Sequence, residues 1–496
     1  MRESVPASAS AERLVVALGG RVTRELPLVD GFAASVPSAG LPGLTADGSV
    51  AGLWLDARVQ MASAGPSSYD ANDPNLAWRK AIRLNHVPDG IDGNGVRVAM
   101  IDTGVAQVQD LGDRVVERID FTPGGAGADG YGHGTHLAGV IAGDGGLSGG
   151  KWKGVAPAAD LVSVKVAGAD GSTDVSVVIA AMQWVVTHED QYGIRVLNLA
   201  FGTEGTQPYA IDPLDAAVER VWASGITVIV SAGNRGSGSG TINKPGDDPY
   251  VVTVGAADTQ STAVRSDDVL APFSSRGPTQ DGFAKPDLVA PGTTIVSTRD
   301  VGSTIDQQHP DAVLDGNYFK GTGTSQAAAV VSGVAALLYQ ENPSLTPNQV
   351  KGILVGTAFA NSAYRNGGGA GLVDASGAVA VANTGTSNPN ANLQASDGTG
   401  SLEDSRGRFH VETDLDGDGV PDLVQGEVDV LGDPWDSTSW SSTSWSSTSW
   451  SSTSWSSLIS ENAGWSSTSW SSTSWSGMGW DSTSWSSTSW SSVTWT

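Results

Sequence analysis

The chain has 496 residues, several times a usual domain length, so we expect more than one module. Acidic residues outnumber basic residues 53 to 27, for a formal net charge of −26, which argues against binding to nucleic acid or to an anionic membrane surface. The absence of cysteine excludes disulfide scaffolds, cysteine-ligated zinc and thiol nucleophiles.

The N-terminal region has no signal for membrane insertion or export. No run of about 18 apolar residues occurs anywhere in the chain, so no membrane span is expected. Residues 1–12 lack the apolar stretch of a secretory signal. We therefore expect either an incomplete N-terminus or a chain that is not exported by that route.

Apolar, β-branched runs alternate with helical stretches between about residues 90 and 383. The runs cover 96–101, 161–166, 194–199, 226–230 and 250–254, and the clearest helical stretches cover 175–187 and 211–223. Strand–helix–strand order with nearly continuous apolar strands is typical of a parallel sheet that is covered on both faces. The sequence therefore predicts an α/β fold with a mostly parallel sheet and helices on both sides.

An acidic segment follows this body and contains a pattern of alternating carboxylates. Residues 384–434 carry eleven acidic residues against two basic ones. Alternate carboxylates, glycines between them and a further Asp at the ninth place match the oxygen-rich half of a calcium loop. We therefore predict a structural calcium site formed by Asp414, Asp416, Asp418 and Asp422. Position twelve is Gln425 rather than a bidentate Glu, so a solvated acidic turn is the alternative.

From Trp435 onward the chain becomes a five-residue repeat of the form Trp-Ser-Ser-Thr-Ser, interrupted once at Ser460. Such a tract has too few kinds of apolar residue for a close-packed core. Disorder or a strand-like array are the two expected states, and the sequence does not identify a ligand for this tail.

Three short segments of the body each place a reactive side chain beside glycine. Asp102 ends a buried strand, at the edge where open α/β sheets place their sites. His133 lies between two glycines at the start of an apolar helix, and Ser325 follows Gly-Thr before an alanine-rich helix. Each feature alone is weak, but Asp, His and Ser in this order form one of the known chain orders of a catalytic triad.

In these three segments and in several others, residues 90–383 resemble the subtilisin-like serine peptidases (subtilases). The matching segments fall in family order: Ile101–Gly104, His133–Gly139, Gly154–Pro157, Ser231–Asn234, Phe273–Pro278, Lys285–Gly292 and Gly323–Ser325. The resemblance implies a subtilisin-like fold and a serine-type endopeptidase that acts on proteins or peptides through an acyl-enzyme. It also implies a secreted or cell-surface location.

The resemblance assigns roles residue by residue. Ser325 would be the nucleophile, His133 the general base and acid, and Asp102 the group that orients the imidazole. The side-chain amide of Asn234 would stabilise the oxyanion together with the backbone N–H of Ser325. The substrate peptide would pair with an extended edge and meet a second wall of the primary pocket; the edge is Leu199, Ala200, Phe201 and Gly202, and the wall is Ser231, Ala232 and Gly233.

The chain departs from the family pattern beside the nucleophile. Gln326 stands where the family usually has Met, and Ala329 stands where it usually has Pro. Neither change removes a catalytic group, although both adjoin Ser325. The alternative hypothesis is therefore a catalytically weak scaffold whose Trp/Ser tail binds a surface or polysaccharide.

The N-terminal segment, about 12–62, also resembles the subtilase propeptide, a small α+β inhibitor that would bind the active site of its own chain until it is cleaved off. An ordinary N-terminal subdomain is the alternative. The predicted organisation is 1–65 prodomain, 66–89 linker and start of the mature chain, 90–383 catalytic domain, 384–410 linker, 411–434 acidic segment, and 435–496 repeat tail.

Overall fold

The structure is a computed structural model of the chain. It describes residues 2–3, 10–26, 31–52, 74–122, 127–236, 238–384, 388–416, 418, 420–437 and 479–480. The chain divides into two compact units, Met1–Ser63 and Ala64–Thr496. Residues 66–73 of the first predicted linker and most of the repeat tail therefore lie outside the described residues.

The first unit is a small α+β module. Its strands form one sheet in the order β2-β3-β1-β4. A small apolar core of Ala11, Val15, Phe32 and Leu44 lies between sheet and helices. The elements are β1 (Arg2–Glu3), α1 (Ser10–Ala17), β2 (Arg21–Leu26), β3 (Gly31–Ser35), α2 (Leu41–Ala46) and β4 (Val50–Gly52).

The second unit is built around an eight-stranded sheet. Its order is β12-β11-β10-β8-β5-β7-β6, and β13 pairs with β11. Every pairing is parallel except that of β12 with β11. The eight strands are β5 (Arg97–Asp102), β6 (Val115–Asp120), β7 (Asp160–Lys165), β8 (Ile194–Leu199), β10 (Thr227–Ser231), β11 (Val252–Asp258), β12 (Val269–Leu270) and β13 (Leu288–Pro291). Strand β9 (Phe201–Gly202) follows β8 in the chain but belongs to a separate two-stranded sheet.

Smaller sheets and the helices surround this sheet. The remaining strands are β14 (Ile295–Thr298), β15 (Val313–Leu314), β16 (Tyr318–Gly321), β17 (Glu412–Thr413), β18 (Asp422–Leu423) and β19 (Gly479–Trp480). The helices are α3 (Pro74–Ala81), α4 (His133–Ala142), α5 (Val175–Thr187), α6 (Glu189–Tyr192), α7 (Pro213–Ala223), α8 (Thr304–Gln308), α9 (Thr324–Glu341), α10 (Pro347–Thr357), α11 (Ala375–Val381) and α12 (Leu402–Arg406).

The sequence explains why the central strands and α9 are buried. The β10 residues are buried at every position, as expected for a strand with a helical layer on each side. Helix α9 is buried over most of its length because alanine and glycine allow close approach: a Cβ at Gly333 would lie 2.5 Å from Val155 Cβ. The predicted α/β class with a mostly parallel sheet is confirmed.

Residues 388–437 pack on the body and include part of the predicted linker. Leu402, Val411, Val424 and Val430 belong to the main hydrophobic core. The Arg406 side chain is buried and pairs with Asp174, which caps the N-terminus of α5. This segment contributes buried apolar and charged groups to the second unit. Among the described residues, none of the helices is long and apolar enough to cross a membrane.

Candidate active site

Asp102 and His133 form a buried, hydrogen-bonded pair at the end of the central strand β5. The Asp102 carboxylate oxygens lie 2.8 Å and 3.1 Å from Nδ1 of His133. Both side chains are buried. The Thr103 N–H donates to Oδ1 of Asp102 at 2.8 Å, and this is the oxygen nearer to the imidazole. An ionised carboxylate can only accept, so Nδ1 carries the proton and the lone pair of the neutral ring lies on Nε2.

The position of His133 is fixed by the turn that leads into α4. Asp129 accepts hydrogen bonds from the N–H groups of Tyr131 and Gly132 and from both the N–H and the hydroxyl of Thr135. Burial raises the pKa of the Asp129 carboxyl. Asp129 is not among the site residues predicted from the sequence, although an Asp four residues before a helix-starting His is a recognisable turn signal.

A tight backbone approach holds α4 against the end of β5. Thr103 Oγ1 accepts from the N–H of Gly134 at 3.0 Å. A Cβ at Gly134 would lie only 2.1 Å from the carbonyl oxygen of Gly104. The glycine after His133 is therefore required for the close contact that sets the Asp102–His133 distance.

Ser325 is the second residue of α9 and is fully buried. Its hydroxyl donates to the carbonyl oxygen of Ala200 at 3.1 Å. Ala200 directly follows β8, and Ile101 pairs with Leu199 in the β5–β8 ladder. Asp102 and Ala200 thus end neighbouring strands, which lie about 4.8 Å apart in a sheet. The structure brings the three predicted groups to one edge of the sheet, with Ser325 turned towards Ala200.

Asn234 lies beside the N-terminus of α9. Its Oδ1 accepts from the N–H and the hydroxyl of Thr324, each at 3.0 Å. Its Nδ2 atom is buried and has no hydrogen-bond partner among the residues that the structure describes. The backbone N–H of Ser325, in the first turn of α9, has no intrahelical acceptor by the geometry of a helix start. Two donors therefore lie next to the serine with capacity to bind an anion.

The predicted substrate edge and pocket wall meet around one unpredicted residue, Asn243. A Cβ at Gly202 would lie 2.8 Å from Asn243 Cβ, and a Cβ at Gly233 would lie 2.8 Å from Asn243 Cγ. The N–H of Asn243 donates to the carbonyl of Ala232 at 3.1 Å. Asn243 thus lies between the two walls, and nothing in its local sequence indicates this long-range position.

His136, the second histidine of the same segment, has a structural environment. Its Nε2 lies 3.2 Å from the carbonyl oxygen of Ile295 and 3.1 Å from that of Phe319. Burial lowers the pKa of His136 to about 4, so the ring is neutral at pH 7. It joins α4 to the sheet of β14 and β16.

Three of the four predicted calcium ligands lie together. Asp414, Asp416 and Asp422 each offer an oxygen, and these oxygens lie within 4.8 Å of one another. Asp418 is outside this group, and its carboxylate accepts from the N–H of Val420 at 2.8 Å. Three carboxylates on a short acidic turn suit a hard cation such as Ca²⁺.

A buried Asp–His pair and a serine at a helix N-terminus, all at the carboxyl edge of a parallel sheet, are the arrangement expected of a serine hydrolase. The chain matches the model of the Subtilase family over residues 93–400. The chain belongs to that family, and its resemblance to the subtilases is confirmed.

Curated relatives cover the same region. The chain is 40% identical to serine protease AprX of Bacillus subtilis (strain 168), over 58% of this chain and 67% of the relative. It is 36% identical to subtilisin Savinase of Lederbergia lenta, over 58% of this chain and 93% of the relative. It is 37% identical to M-protease of Shouchella clausii (strain KSM-K16), of which it spans 66%.

Two solved structures are also similar. A cold adapted subtilisin-like serine proteinase aligns with 58% of this chain and 89% of its own, at 32% identity and a TM-score of 0.43. A protease from Pseudoalteromonas arctica PAMC 21717 aligns with 63% of this chain and 96% of its own, at 24% identity and a TM-score of 0.49.

Proposed function

We propose that the protein is a serine endopeptidase that hydrolyses protein substrates through an acyl-enzyme and is made as a self-processing proenzyme. The observation that carries this proposal is the Asp102–His133 hydrogen bond of 2.8 Å, one strand away from the residue that Ser325 contacts. The named serine proteases among the relatives support the same reaction class.

The reaction begins when Ser325 Oγ leaves the Ala200 carbonyl and turns to the imidazole. Nε2 of His133 takes the hydroxyl proton as Oγ forms a bond to the carbonyl carbon of the substrate. Asp102 keeps the proton of the resulting imidazolium on Nδ1 and stabilises its charge. The imidazolium then protonates the leaving amine as the scissile C–N bond breaks, and a water molecule repeats the sequence on the acyl-enzyme.

The negative oxygen of each tetrahedral intermediate is held by the Asn234 side-chain amide and the backbone N–H of Ser325. The Asn234 amide is fixed before substrate arrives, because its Oδ1 accepts two hydrogen bonds from Thr324. The Ser325 N–H is fixed by its place in the first turn of α9. Preorganised donors of this kind stabilise the transition state more than the ground state. The buried Nδ2 atom without a described partner supports this role.

The substrate pairs by its backbone with the edge Leu199, Ala200, Phe201 and Gly202, and its side chain enters the space between that edge and Ser231–Gly233. Backbone pairing favours extended, unfolded segments and imposes loose sequence preference. Asn243, which lies between Gly202 and Gly233, limits the depth of that space.

The proposed function includes removal of the first unit as a prosegment. The first unit, Met1–Ser63, has the α+β form expected of a prosegment. We expect self-cleavage between residues 60 and 75 and a secreted or cell-surface enzyme. N-terminal sequencing of active protein tests this, since a retained Met1 would contradict it.

Calcium would be held by Asp414, Asp416 and Asp422 and would stabilise the acidic turn.

Hydrolysis of casein by three chains tests the function. We expect the parent to cleave casein, the Ser325→Ala chain to lose nearly all activity, and the Ser332→Ala chain to retain it. Ser332 is the matched control because it lies in the same helix and donates to Asn198 at 2.9 Å, away from the triad. Equal rates for Ser325→Ala and the parent would contradict the proposal and favour the scaffold alternative.

A further inference from the structure

Two residues of the repeat tail form a β-strand on the substrate edge. Strand β19, Gly479–Trp480, pairs antiparallel with β9 in a separate two-stranded sheet. Gly479 lies opposite Gly202, and Trp480 lies opposite Phe201. The tail backbone therefore occupies the edge at which a substrate peptide is proposed to pair.

The occupied edge lies beside the nucleophile. Phe201 directly follows Ala200, whose carbonyl oxygen accepts the Ser325 hydroxyl at 3.1 Å. Adjacent Cα atoms are about 3.8 Å apart, so a strand opposite Phe201 passes within a residue or two of the attacking oxygen. A peptide substrate and the tail cannot both pair with these two residues.

Contacts with neighbouring residues of the second unit fix the position of β9. The space behind Gly202 is filled, because a Cβ there would lie 2.5 Å from the Lys244 carbonyl oxygen. The next residue, Thr203, exchanges both backbone hydrogen bonds with Lys244, at 2.9 Å and 3.0 Å. The edge is thus held firmly by the body, as a binding edge for an added strand must be.

The sequence of the docked segment differs from the rest of the tail. Around Trp480 the usual Ser-Ser-Thr-Ser is replaced by Ser-Gly-Met-Gly before the tryptophan and by Asp481 after it. Within the repeat tail, glycine precedes tryptophan only at Gly464 and Gly479. A glycine opposite Gly202 allows close approach of the two backbones, which a serine side chain would hinder.

The connection is long enough for the tail to reach its own active site. Residues 438–478 link the last described residue of the body to β19. A chain of that length can span up to about 130 Å when it is extended, far more than the size of a domain. A short covalent tether typically gives an effective concentration on the order of millimolar, which would make a weak strand competitive with substrate.

We propose that the tail segment around Gly479–Trp480 is a tethered competitor that occupies the peptide-binding edge β9 of its own chain and lowers its affinity for substrates. This inference rests on the proposed peptidase function. The tail leaves the catalytic groups in place, so its displacement changes apparent affinity and not the rate of the bound complex.

A binding measurement on inactive protein tests the inference without relying on catalysis. The probe is a fluorescein-labelled peptide with the sequence of residues 475–485, and its binding is followed by fluorescence anisotropy. It is added to Ser325→Ala chains that carry an inserted protease site between residues 60 and 75 and that have been cut there and separated from the prosegment, because an inactive chain cannot remove the prosegment itself. We expect the chain that ends at Ser476 to bind it roughly 3- to 10-fold more tightly than the full-length chain, from the millimolar effective concentration of the tether. Equal binding by the two chains would overturn the inference.

A matched pair of proline variants locates the effect at β19. Proline removes a backbone N–H and disrupts strand pairing, so Gly479→Pro should reproduce the tight binding of the truncated chain. Gly464→Pro makes the same change before another tryptophan and should bind like the full-length parent. If both variants behave alike, the strand at Gly479 is not the competitor.

Kinetics separate failure of this inference from failure of the proposed function. In the active chain, truncation at Ser476 should lower KM roughly 3- to 10-fold for a peptide substrate at unchanged kcat, independent of enzyme concentration. Hydrolysis with identical KM in both chains would leave the peptidase and refute the competitor. Tail-dependent peptide binding without hydrolysis by either chain would leave the competitor and refute the peptidase. An effect that grows with enzyme concentration would place the tail in a second copy and contradict the tethered form.

Discussion

Replacing Arg406 with alanine should strongly destabilise the second unit, because Arg406 carries a buried charge that joins residues 388–437 to the body. Its side chain is 1% exposed, and its Nε and Nη2 atoms bind the Asp174 carboxylate at 2.8 Å and 3.2 Å. It also binds Glu403 at 3.1 Å and the carbonyls of Gly426 and Val428 at 2.8 Å and 2.6 Å. Burial opposes its charge, but Asp174 and Glu403 outweigh it and hold the pKa of Arg406 above its ordinary value.

The expected cost follows from what the substitution leaves behind. Without Arg406, the Asp174 carboxylate remains buried with its cap bond from Ser176 but without a counter-charge. Removing one partner of a buried ion pair costs about 3–5 kcal/mol, because the other charge stays desolvated. The two carbonyls also lose their donor, so we expect the upper part of that range.

Urea unfolding followed by tryptophan fluorescence measures this cost, in a Ser325→Ala background that prevents self-digestion. Arg408→Ala is the matched control, since the Arg408 side chain is 75% exposed although its partner Glu204 is only 13% exposed. An ion pair whose cation remains in water contributes about 0–1 kcal/mol. Hydrogen exchange of residues 402–430 should also rise in Arg406→Ala alone. A loss of under about 1 kcal/mol, or one equal to that of Arg408→Ala, would refute the reasoning.

Three further predictions concern the site and its surroundings. Asn234→Ala should lower kcat roughly 10²–10³-fold with little change in KM. This is the loss typical of subtilisin, the type member of this family, when such a donor is removed. An unchanged kcat would exclude Asn234 from the oxyanion site. His136, with its pKa lowered by burial from 6.5 to about 4, should make stability fall as pH drops from about 6.5 to about 4, because only the unfolded chain takes up the proton in that window. The change amounts to about 3 kcal/mol, and it should be largely absent in His136→Gln and retained in the control His86→Gln; equal slopes would contradict the assignment. Chelation by EDTA should lower the thermal midpoint of the parent but not of Asp416→Asn, and an EDTA effect of the same size in both would place calcium elsewhere.

The parts of the fold and site that sequence predicts are those written in local patterns. The apolar strand before Asp102 and the glycines around His133 and Ser325 are short-range features that specify a strand end and two helix starts. Parallel strands bring their carboxyl ends to one edge, so the convergence of the three groups follows from topology alone.

The unpredicted parts depend on contacts between residues far apart in the chain. Asn243 lies between Gly202 and Gly233 only because the segment at 243–244 pairs with residue 203. Arg406 lies within an acidic stretch whose composition favours solvent exposure, and its burial requires Asp174, 232 positions away.

Reaction of the full chain with a fluorophosphonate, followed by peptide mapping in a mass spectrometer, tests the central claim most directly. Such a probe reacts with a serine only when a base activates it and an oxyanion site stabilises the adduct. We predict a single major adduct on Ser325, lost in Ser325→Ala and strongly slowed in His133→Ala. Absence of the adduct from properly folded, processed protein, or labelling of Ser325 at the same rate without His133, would contradict the account.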